Sequence, residues 1–95
     1  LMLSFTSATG RVTRQGVLNF LDTRREILNW FAIMPSTVLI VSKETPRTIS
    51  RLLVDRFGHD ITFVLPKIDP EYIDGYINKQ VWEFVSSPSS SGRWE

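Results

Sequence analysis

Leu1, Leu3 and Phe5 alternate with Met2, Ser4 and Thr6, a period-two pattern with one apolar face that predicts a strand. Thr9-Gly10 breaks it. Thr13 then offers a hydroxyl to cap a helix, and Val17, Phe20 and Leu21 follow at helical spacing, with Asp22, Arg24 and Arg25 on the remaining surface. This helix is expected to fray toward a strand near Glu26. Ile27–Met34 is mostly apolar and aromatic and reads as a buried strand, Pro35-Ser36 as a tight connection, and Thr37–Val41 as a β-branched strand. So short a link makes the two strands antiparallel neighbours.

Thr45-Pro46 combines a capping hydroxyl with a proline where its missing N–H costs nothing. Ile49, Leu52, Leu53 and Phe57 then share one face, Arg47, Arg51 and Asp55 the other, and Gly58 is expected to close the helix as a left-handed cap. Ile61–Leu65 reads as a fourth strand ended by Pro66, and Asp69-Pro70 opens a helical turn around Glu71–Asp74. Tyr76–Val85 reads as a short helix turning Val81, Trp82 and Val85 toward the core, with a fifth strand as the alternative. The expected organisation is one domain over residues 1–85 and a flexible serine-rich tail over 86–95, in which Trp94 has no evident packing partner. The order strand, helix, strand, strand, helix, strand is the βαββαβ arrangement of the α+β ferredoxin-like fold, an antiparallel sheet with two helices on one face. The other face then needs a cover, supplied by Tyr76–Val85 or by a second copy of the chain.

Ninety-five residues suffice for one hydrophobic core. The absence of cysteine excludes disulfide staples, thiolate catalysis and cysteine-ligated zinc, and it fits a reducing, cytoplasmic setting. No stretch is long and apolar enough to span a bilayer, and no signal layout is expected. Charge changes the picture more. From Arg11 to Arg56 eight basic residues face four acids, whereas from Phe57 onward three face six. A basic front and an acidic back suit an anion-binding face or self-association between opposite faces, and equally an ordinary solvated surface.

Pro35–Val41, Thr45–Leu53, Asp60–Val64 and the Gly75–Val85 run with its Lys79-Gln80-Val81-Trp82 resemble the small proteins grouped around CRISPR-associated protein 2, and above all their stand-alone bacterial cousins. The likeness spans most of residues 1–85. It implies a ferredoxin-like homodimer. In some members it also implies a metal-dependent nuclease whose aspartate ends the first strand. The matching segment here is Leu3-Ser4-Phe5-Thr6, and Thr6 stands where that aspartate would be. A neutral hydroxyl is a poor magnesium ligand, so the resemblance supports fold and dimer and undercuts the enzyme.

No catalytic set, metal site or cofactor site is expected. His59 reads as a solvated loop residue, and Asp69, Glu71 and Asp74 as a cap and its solvated neighbours. Arg47 and Arg51, four apart on one helix face, could with Arg24, Arg25 and Lys43 track a nucleic-acid backbone. The plain alternative is a solubilising face with Asp55 as ion-pair partner. Most of Trp30, Phe31, Tyr72, Tyr76, Trp82 and Phe84 are expected in the core or a dimer interface, with base stacking conditional on several being exposed on the sheet. The leading expectation is a non-enzymatic homodimeric binding module. The alternatives are nucleic acid as its ligand, a nuclease similar to the CRISPR-associated family, or a subunit docking on a protein partner through its acidic half. No membrane partner is expected.

Overall fold

Both threonine caps form as the sequence requires. Thr13 Oγ1 accepts from the Gly16 N–H at 2.9 Å, and Thr45 Oγ1 from the Thr48 N–H at 3.3 Å. They open α1 (Arg14–Asp22) and α2 (Pro46–Phe57) in the computed structural model, which describes residues 1–76, 79–88 and 91–92. The strands are β1 (Met2–Ser7), β2 (Asn29–Met34), β3 (Thr37–Val41) and β4 (Ile61–Val64), and a third helix, α3, spans Lys79–Ser86. They build one antiparallel sheet of order β2-β3-β1-β4, the ferredoxin-like arrangement. β1 is central, with Leu3 opposite Val38 on one side and Phe5 opposite Phe63 on the other. Since β3 and β4 are each antiparallel to β1, they run parallel to each other and finish at the same end of the molecule.

The alternation in β1 decides which face each helix covers. Leu3 and Phe5 join Val38, Ile40 and Ile61 beneath Val17, Leu18 and Leu21 of α1 and Ile49 and Leu53 of α2. Each such side chain contributes roughly 1.5–3 kcal/mol by leaving water. The Phe20 and Phe57 rings, 5.5 Å apart and nearly perpendicular, join the two helices. On the opposite face α3 lays Val81 and Val85 over Leu39, flanked by Met2, Phe31, Ile33, Ile68 and Ile73. The Tyr76–Val85 segment is thus helical over Lys79–Ser86 and covers the β2–β3 half of that face; residues 77 and 78 lie outside the described residues. The β1–β4 half keeps Thr6, Thr62 and Val64 exposed.

Local details depart from expectation for visible reasons. α1 does not run on toward Glu26, because Thr23 Oγ1 donates to the Phe20 carbonyl at 2.7 Å and ends it. Ile27 is buried but not yet in β2, since its N–H closes a turn onto the Arg24 carbonyl. Gly58 takes φ +56°, as a left-handed cap would, but ψ −129° carries the chain into a 3-10 turn over Gly58–Asp60, a conformation open to glycine alone. The Asp69-Pro70 turn spans Pro70–Tyr72, with Asp69 capping the Glu71 N–H. Ser91 returns to the sheet, donating through both its N–H and its hydroxyl to the Leu28 carbonyl. Trp94 lies outside the described residues. No helix among the described residues is long and apolar enough to cross a membrane.

Candidate functional site

The cations singled out in the sequence converge at the end where β3 and β4 finish. Ser42, just past β3, donates from Oγ to the Glu26 carbonyl at 2.6 Å and accepts from the Glu44 N–H at 3.0 Å. That bond pins the loop carrying Lys43 against the turn carrying Arg24 and Arg25. Thr45 then starts α2, so Arg47 stands in its first turn and Arg51 one turn further along, both exposed.

Arg24 is set apart from the rest. Its guanidinium donates to Glu26 at 3.2 Å and its Nε is buried without a partner, so it serves the local turn more than the surface. Glu26 is held below the ordinary carboxylate range, first by its own backbone N–H. The Arg24 hydrogen bond and the charges of Arg24 and Arg25 add to this, while burial opposes it. Trp30 Nε1 donates to Asp22 at 2.7 Å and ties the end of α1 to β2.

Arg25, Lys43, Arg47 and Arg51 are exposed and make no ion pair among the described residues; in particular, the Arg51–Asp55 pair one turn apart does not form. Lys67 joins them. It lines a hollow of about 300 Å³ together with Ser42, Lys43, Glu44, Thr45 and Pro46. In the sequence Lys67 belongs to the acidic half, and only the parallel course of β3 and β4 brings it beside Lys43. A shallow, open depression between α2 and β4 is lined by Pro46, Arg47, Ser50, Phe63, Val64 and Leu65.

At the far end of β1, Thr6 is exposed and sits opposite Thr62. No group of three or more histidine, aspartate or glutamate side chains among the described residues is placed to hold a metal ion. Trp30, Phe31, Trp82 and Phe84 are half-buried. Tyr72 and Tyr76 are outside the core of the single chain, 86% and 104% exposed, on the segment after β4 and not on the sheet. No family model, no curated protein and no solved structure matches this chain.

Proposed function

We propose that this protein is a non-catalytic ferredoxin-like binding module that takes a polyanion, nucleic acid foremost, on the end built from Arg25, Lys43, Arg47, Arg51 and Lys67. The observation carrying this reading is that these cations are exposed, share one end and form no ion pair among the described residues. Unpaired surface cations hold condensed phosphate well because binding releases counterions, whereas paired ones have already spent their field on a neighbour. The likeness to proteins around CRISPR-associated protein 2 adds, by analogy, a homodimer as the working unit.

The test is fluorescence anisotropy of labelled duplex DNA, single-stranded DNA and RNA across a salt series, with and without magnesium and manganese, followed by denaturing gels. Binding should weaken steeply with salt while the substrate stays intact. Arg47→Ala with Arg51→Ala should flatten the logarithmic salt slope by roughly one for each phosphate no longer neutralised. Salt-insensitive or absent binding sinks the reading. Cleavage of any of the three would turn it toward the nuclease alternative.

A further inference from the structure

An apolar groove runs between β3 and the C-terminal end of α3, lined by Leu39, Val41, Ile68, Phe84 and Val85. It reaches Ser42 at the end of the molecule where β3 and β4 finish. Ser42 and Ile68 also line the hollow that holds Lys43 and Lys67, so groove and hollow adjoin. Hydrogen bonds fix the junction from both sides. The Met2 N–H donates to the Pro66 carbonyl at 3.0 Å and holds the segment carrying Lys67 and Ile68 beside β1. Ser42, bonded to the Glu26 carbonyl and the Glu44 N–H, holds the loop carrying Lys43.

We infer that this junction binds a single-chain fatty carboxylate, its chain in the groove along α3 and its head between Lys43 and Lys67. An apolar slot that opens on a few converging polar groups is the general form of a small-molecule site. At about 230 Å³ the groove falls below the usual size of such sites, roughly 300–1,000 Å³, so it suits one chain and not two. Charge names the head group. Lys43 and Lys67 are exposed and form no ion pair among the described residues, and Glu44 lines the same hollow. The surplus is one positive charge, which matches a carboxylate better than a doubly charged phosphate. A bound carboxylate also neutralises part of the basic end and so weakens its hold on a polyanion; this regulatory part alone rests on the reading above.

Isothermal titration calorimetry of the full chain tests the site, with every ligand below its micellar concentration. Decanoate should bind at one site per chain. Affinity should rise about fourfold for each methylene from hexanoate upward and level off once the groove is full. Decanol, the same chain with a neutral head, should bind about tenfold more weakly, and decyltrimethylammonium should not bind. Lys43→Gln with Lys67→Gln should bring decanoate down to the level of decanol. Both side chains are exposed, and circular dichroism checks that the variant folds. In methyl NMR spectra Leu39, Ile68 and Val85 should shift on titration. Absent decanoate binding overturns the inference. So do equal affinities for the three head groups, an affinity that climbs with chain length without levelling off, or shifts confined to other methyls. In anisotropy titrations decanoate should weaken DNA binding and flatten the logarithmic salt slope by up to about two, against acetate as the ionic-strength control. Unchanged DNA binding overturns the regulatory part. A chain that binds decanoate but no nucleic acid upholds the site and counts against the polyanion reading alone.

Discussion

Single side chains at the joints of this fold do measurable jobs. Thr45 satisfies the Thr48 N–H and also shares a hydrogen bond with the Thr48 hydroxyl, at 3.1 Å. Thr45→Ala should therefore lower stability by about 1 kcal/mol, read from the urea midpoint, and an unchanged midpoint would mean that Pro46 alone starts α2. Glu26 carries a pH signature. Its acid form is disfavoured in the folded protein, so its contribution is complete above the usual value of 4.5 and is lost as pH falls through the lowered one. Glu26→Gln should flatten the acid limb of the stability profile there, and thermal melts from neutral to strongly acid pH would show it. Arg24 shows why site residues were only partly legible. Exposure of a cation follows from composition, but capture by a carboxylate two residues away depends on a turn that no periodicity announces.

Among the elements, α3 is the least secured. Its cluster holds three buried side chains, Leu39, Val81 and Val85, against eleven in the cluster that α1 and α2 share with the sheet. Val81→Asp places a carboxylate against Leu39 with no partner for it, and hydrogen exchange in residues 79–86 should then approach unfolded rates while β1 and β3 stay protected. Equal loss of protection in all three would mean that α3 unfolds only with the whole. The elements were legible in proportion to how local their causes are. The caps of α1 and α2 and the β-branched run of β3 are written within a few neighbouring residues. The β2 boundary slid from Ile27 to Asn29 because a buried residue need not be a strand residue. Ser91 was not foreseen as an anchor, since the carbonyl it bonds belongs to Leu28, distant in the chain. Lys67 was missed at the site for the same kind of reason: its neighbours are set by topology.

At the scale of the molecule, the sheet separates two layers, α1 and α2 on one face and α3 on the other. Arg47 and Arg51 rise from α2 on one face, and Asp69, Glu71 and Asp74 follow the turn on the other. The central place of β1 has a consequence of another kind. β1 is synthesised before either of its partners: β3 begins at Thr37 and β4 at Ile61. Leu3 and Phe5 must wait in the open until β4 has been made, so the nascent chain passes through an interval in which the centre of its future sheet is an unpartnered apolar strand.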